Sequence, residues 1–152
     1  MRIRMTLFFP DLNVWLALSV EGHVHNTAAS RWQRSMPGDS RLIFSRYTQI
    51  GLLRLLTNSA MMGERVLTVR EAWTVYDALL KHPQVEFYQE PRNIDTEFRE
   101  VLEPLASKSA SKWVGDCWLL AFAAGSDAKL VTFDKALFDF ARKWGQPAVM
   151  PR

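Results

Sequence analysis

The chain has 152 residues, 48% hydrophobic and 23% charged. That composition suits one globular domain and excludes a disordered chain. The net charge is +3, and 13 of the 19 basic residues are arginine, whose planar fork suits phosphate and carboxylate, so a phosphate-rich partner is permitted. A single cysteine, Cys117, excludes an internal disulfide framework and a thiolate zinc cage, and fits a reducing, cytoplasmic setting. No apolar run approaches the roughly 18 residues that a membrane-spanning helix needs.

In chain order, the charged start runs into Thr6-Leu-Phe-Phe9, a first strand too short for a signal-peptide core, which ends at Pro10-Asp11. Helical patterns follow at Asn13–Leu18 and Asn26–Met36. Leu42–Phe44 is a second strand, and Arg46–Leu56 is a helix with Ile50, Leu53 and Leu56 on one stripe. Thr68 opens another helix with Glu71 as the partner of a capping box, and the helix stops before Pro83. Val85–Phe87 is a third strand. Helices over Ile94–Leu105 and Lys112–Ala124 come next, the second with Gly125 as its stop. Lys129–Thr132 is a fourth strand, Lys135–Trp144 a last helix, and Ala148–Met150 a short final strand. Short apolar strands alternating with helices predict an α/β domain spanning 1–152, with a mostly parallel sheet of four to five strands and helices on both faces.

Three carboxylates stand out. Asp11 follows the first strand and Asp134 the fourth, and ligands of open α/β sheets gather at the carboxyl ends of strands. Asp116 lies in the apolar stretch Trp113–Leu120, near the start of the helix that feeds the Asp134 strand. Taken singly, Asp11 and Asp134 read as helix N-caps and Asp116 as a first-turn acid favoured by the helix dipole. Taken together, they describe clustered acids, which need a compensating cation. Oxygen ligands of this kind suit Mg²⁺ or Mn²⁺ and the hydrolysis of phosphodiesters.

Asp11-Leu-Asn-Val-Trp-Leu-Ala-Leu18 after a first strand resembles the opening of PIN-domain ribonucleases. Gly115-Asp-Cys-Trp-Leu-Leu-Ala-Phe-Ala123, followed by Leu130-Val-Thr-Phe-Asp134, resembles their closing half, and Arg46–Thr57 the helix that usually brings a glutamate to the site. The order and spacing are similar to those of VapC-type toxins, the nuclease half of a toxin–antitoxin pair. The resemblance implies a PIN-like fold and a metal-dependent endoribonuclease. It also implies Mg²⁺ or Mn²⁺ on Asp11, Asp116 and Asp134, support from Asn13 and Thr132, a small antitoxin partner and a homodimer. One departure is visible: Thr48-Gln49 stands where the family often has glutamate, so Gln49 is the candidate fourth catalytic group, supported by Thr48. Glu64 and Glu97 are possible substitutes that nothing in the sequence places at the site.

The alternative within the fold is a weakly active RNA- or partner-binding module. A receiver-like phosphoacceptor domain would pair acids at the first strand and put another after a central strand, and Val85–Phe87 ends in none. A haloacid-dehalogenase-like phosphatase would want Asp-x-Asp where this chain has Asp11-Leu-Asn13. His23 and His25 read first as a polar turn and only second as a metal pair, and Cys117 as a small buried residue. Arg46, Arg54, Arg92 and Lys112 are candidates for phosphate contacts among basic residues that mostly form a solvated face.

Overall fold

The computed structural model describes residues 5–152; the basic start, Met1–Arg4, lies outside the described residues. Five strands, β1 (Leu7–Pro10), β2 (Arg41–Phe44), β3 (Val85–Phe87), β4 (Ala128–Val131) and β5 (Ala148–Val149), form one sheet in the order β3-β2-β1-β4-β5. Every pairing is parallel, with Phe9 opposite Leu130 and Phe8 opposite Leu42. All carboxyl ends therefore lie along one edge, with β1 at its centre.

Alternation along the strands divides the core in two. Phe9, Ile43 and Leu130 face one layer, with α6 (Ile94–Leu102), α7 (Ser111–Gly125) and α8 (Lys135–Trp144). Phe8, Leu42, Phe44 and Val131 face the other, with α1 (Leu12–Ser19), α3 (Arg46–Leu56) and α5 (Val69–Lys81). The helices α2 (Asn26–Ser35) and the single turn α4 (Ser59–Met62) complete that second layer. Trp15 and Phe44 lie fully buried there, with ring centroids 3.7 Å apart and planes 11° off parallel. Truncating either would remove about 3–5 kcal/mol.

Local signals explain the ends. Thr68 and Glu71 close the expected capping box on α5. Ser45 and Thr48 close a second on α3, where threonine takes the place of the usual acid. Three details differ from expectation. The turn α4 falls in a stretch without helical periodicity, capped by Asn58. The helix from Ile94 stops at Leu102 and continues as a 3₁₀ turn through Pro104, because proline supplies no N–H to an α-helical ladder. Gly125 is the last residue of α7, and the backbone reverses later, at Asp127 with φ 54°. Its lack of a side chain serves packing: a Cβ there would lie 2.9 Å from Pro91.

Candidate active site

Asp11 is the first residue beyond β1, and its backbone N–H donates to Val131 of β4, 2.9 Å away. It caps α1, with Oδ1 accepting from the Val14 N–H at 3.0 Å. Oδ2 accepts from the Thr132 hydroxyl at 2.5 Å. The Asp134 backbone N–H donates to that same hydroxyl at 3.0 Å. Asp134 in turn caps α8 through the Leu137 N–H. The strand-end acids are therefore both caps and neighbours, joined by one threonine; each carboxylate oxygen used for capping keeps a second lone pair.

Asp116 comes from the opposite layer, six residues into α7 and so past its first turn; the helix has no first-turn acid. It is half-buried beside the other two. Burial chiefly, and the charge of Asp134, raise its pKa. Asp11 is 5% exposed, and its pKa rises to about 6. Burial is the main cause; the Thr132 and Val14 bonds oppose it, while Asp116 and Asp134 add to it. No cation among the described residues enters that balance. Three acids thus lie within electrostatic reach of one another without a counter-charge among the described residues, and their hard oxygen donors suit a divalent cation. As they stand, no three carboxylate, imidazole or thiol groups among the described residues form a finished metal cage. Asp116 and Asp134, the more accessible pair, would have to converge on Asp11.

The remaining candidates are placed differently. Gln49 is buried on α3, but its Oε1 accepts from Arg46 and its amide bonds the Tyr76 phenol, towards β3. No hydrogen bond joins it to the acids. Thr48 is consumed by the cap of α3. Asn13 is exposed on α1, and the hydrogen bonds that hold Asp11 come from Val14 and Thr132 instead. Gly51 on α3 lies against α1, where a Cβ would lie 2.2 Å from Leu12. Glu64 is exposed in a 3₁₀ turn and Glu97 lies on α6; neither contributes to the balance at Asp11.

His23 Nδ1 accepts from the His25 backbone N–H at 3.0 Å, which closes a polar turn. The His25 ring stacks on Phe133 at 4.2 Å, beside Asp134. Cys117 is buried, and its pKa rises to about 11, chiefly from burial, so the thiol stays protonated. One neighbour of the acids escaped sequence reasoning. Exposed Tyr47 stacks near Trp118 at 5.0 Å, and its hydroxyl fills the space that a Cβ at Gly115 would need. The legible signal was the glycine inside an apolar helix, next to Asp116. The hollow lined by Met5, Leu7, Ala123 and Ala128 opens at the other end of β1 and β4, away from the acids.

The sequence profile of the PIN domain matches residues 8–143. The chain belongs to the PIN domain family. Among PIN relatives, Ribonuclease VapC41 of Mycobacterium tuberculosis is 36% identical over 134 residues, covering 86% of this chain and 90% of that protein. Ribonuclease VapC39 of the same species is 30% identical over 139 residues, with 86% and 91% covered. The PIN architecture also matches VapBC2 from Rickettsia felis, solved bound to a DNA fragment from its promoter, with a TM-score of 0.70 and 12% identity over 97% of this chain and all of that one. Mycobacterium tuberculosis VapC20, described as a Sarcin-Ricin loop cleaving toxin, gives a TM-score of 0.65 and 21% identity over 95% and 99% of the two chains.

Proposed function

We propose that this chain is an endoribonuclease of the VapC type, the toxin of a toxin–antitoxin pair, and that it hydrolyses RNA phosphodiester bonds with a divalent cation. The observation that carries the reading is that Asp11, Asp116 and Asp134 lie close enough at the carboxyl edge of the sheet to act on one another electrostatically, with no cation among the described residues in the balance at Asp11. The ribonuclease names of its two mycobacterial relatives support the substrate class.

Asp11, Asp116 and Asp134 would hold Mg²⁺ or Mn²⁺. When bound, such a cation neutralises charge on a phosphodiester and lowers the pKa of water. Thr132 and the Val14 N–H fix the Asp11 carboxylate and favour its charged form against burial. Burial raises the Asp11 pKa to about 6 in the metal-free protein, so towards lower pH a proton competes with the cation for this carboxylate. The stack of His25 on Phe133 braces the turn beside Asp134.

A small antitoxin and a second copy of the chain are the partners this reading implies. An acidic edge of this kind receives an arginine or lysine from another protein, and charge complementarity speeds its capture. No helix among the described residues is long and apolar enough to cross a membrane. Expression in a host cytoplasm, alone and together with any small gene found beside its own, tests toxicity and neutralisation together. Purified protein should cut RNA with Mg²⁺ or Mn²⁺ and stop in EDTA. RNA binding without cleavage in either metal would favour the weakly active binding module.

A further inference from the structure

We propose that Arg46 is an anchor for a phosphate of the bound RNA, held beside the acidic site by buried Gln49 and Tyr76. The inference rests on the reading of RNA as substrate and names a contact that the three acids do not supply.

Arg46 opens α3, two residues past the end of β2, so it stands on the same sheet edge as Asp11. Its guanidinium lies 4.7 Å from the centre of the Phe87 ring, at the end of β3. One of its nitrogens donates to Gln49 Oε1 at 2.5 Å. Gln49 is 6% exposed and Tyr76 is 3% exposed. Burial raises the Tyr76 pKa, while its bond to Gln49 and the charge of Arg46 pull it back, so the three groups form one assembly. Two buried polar side chains and an aromatic ring thus orient one exposed arginine.

The neutrality of Gln49 is the informative part. A glutamate there would pair with Arg46 and cancel its charge. The amide holds the guanidinium while leaving that charge intact. Among the described residues no carboxylate pairs with Arg46. Nor does it act as counter-charge for the acids, since it contributes nothing to the shift at Asp11. A guanidinium has five N–H donors in a rigid fork, and with one committed to Gln49 the others remain for an anion. β3 and β1 are two strand spacings apart, roughly 10 Å. A single strand of RNA crossing the strand ends at the acids therefore passes within reach of Arg46 with a neighbouring phosphate.

The experiment measures binding of a fluorescent single-stranded RNA to the full chain in EDTA, across a salt series, beside calorimetric Mn²⁺ titrations. Arg46→Ala should weaken RNA binding several-fold and reduce the salt slope by about 0.7, the counterions released by one single-strand phosphate contact. Arg46→Lys should keep the slope and lose part of the affinity, because charge survives and the fork does not. Gln49→Glu should reproduce the loss of slope while binding Mn²⁺ as the wild type does. In cleavage assays Arg46→Ala should raise KM more than it lowers kcat.

Several-fold tighter Mn²⁺ binding in Gln49→Glu would return Gln49 to the metal site and overturn the proposal. So would wild-type affinity and slope in Arg46→Ala, whether or not that variant loses a protein partner. Both Arg46 variants alter an exposed side chain, so the test stands even if Gln49→Glu fails to fold. If the wild type neither binds RNA in EDTA nor cuts it with Mg²⁺ or Mn²⁺, the ribonuclease reading falls and this inference with it; cleavage without RNA binding in EDTA overturns this inference alone.

Discussion

On the β1–β4 flank of the sheet edge, Asp11 accepts from Val14 and Thr132 and, among the described residues, meets no cation. On the β2–β3 flank, Arg46 donates to Gln49, lies over Phe87, and among the described residues meets no carboxylate. Both flanks use the same device, a strand that ends in a helix cap: Asp11 for α1 and Ser45 for α3. The difference lies in what the cap does besides capping. Asp11 caps with one oxygen and keeps a charge in a buried place. Ser45 and Thr48 cap each other completely, which frees the next residue, Arg46, to reach sideways. A cap at a strand end is therefore compatible with a chemical role, and the two assignments do not compete.

The contrast can be broken hardest at the acids. Asp11→Asn, Asp116→Asn and Asp134→Asn should each lower RNA cleavage by more than the roughly 10–100-fold that loss of an outer partner of a metal site costs. A cleavage assay in Mn²⁺ with circular dichroism as folding control decides it; near wild-type turnover in any variant removes that acid from the mechanism.

The same substitution at Asp11 should stabilise the metal-free protein. Its pKa is raised from 3.8 to about 6, so the folded state binds the proton more tightly than the unfolded state does. Ionisation of Asp11 therefore lowers stability as pH rises from about 4 to about 6, and the penalty is complete above that range. Removing the charge recovers on the order of 3 kcal/mol at pH 8, and the gain disappears towards pH 4. The amide still accepts from the Val14 N–H and can donate to Thr132. Thermal melts of wild type and Asp11→Asn in EDTA at several pH values test this; equal melting points at pH 8 would contradict a strained buried carboxylate.

Thr132→Val probes the link between the acids. The hydroxyl bond lowers the Asp11 pKa, so its loss should move the acid limb of the pH–rate profile upwards. Losing this buried charge-assisted bond should also destabilise by about 1.5–3 kcal/mol at neutral pH. An unmoved acid limb would show that Asp11 ionisation does not control turnover.

The smallest effect is expected where the flanks meet, at Tyr47 and Gly115. Gly115→Ala puts a methyl 2.5 Å from the Tyr47 hydroxyl, which is the end of an exposed side chain and can move. Helix propensity should then prevail, raising stability by up to about 1 kcal/mol, with cleavage largely kept. Chemical denaturation measures it. A marked loss of cleavage would make the resting place of Tyr47 part of the site.

Much of this architecture was legible because local rules and the fold agree. The strand runs, the Thr68–Glu71 box and the strand-end acids all follow from periodicity and capping, and the residues match the PIN pattern. Asp116 lies near the start of its helix as expected, and only its reading as a first-turn acid fails, because the helix begins at Ser111 and has no acid in its first turn. The direction of Gln49 was not legible. A helix of known span still has several faces, and tertiary packing against Phe87 and Tyr76, from segments far along the chain, chose the one that turns the amide towards Arg46. Thr132 was legible and Asn13 was not borne into the same role, because parallel pairing of β1 with β4 brings Thr132 to Asp11 while α1 carries Asn13 outward.

The bond from Thr132 to Asp11 spans 121 positions of sequence. β1 is the central strand, yet one of its two partners, β4, lies far along the sequence from it. A ribosome adding roughly 5–20 residues per second needs about 6–25 s to travel from Asp11 to Asp134. Until that interval is over, Asp11 lacks Asp134, and for nearly all of it β1 lacks β4 and Asp11 lacks Thr132. The acids of the candidate site therefore cannot assemble before Asp134 has been made, however early the rest of the sheet forms.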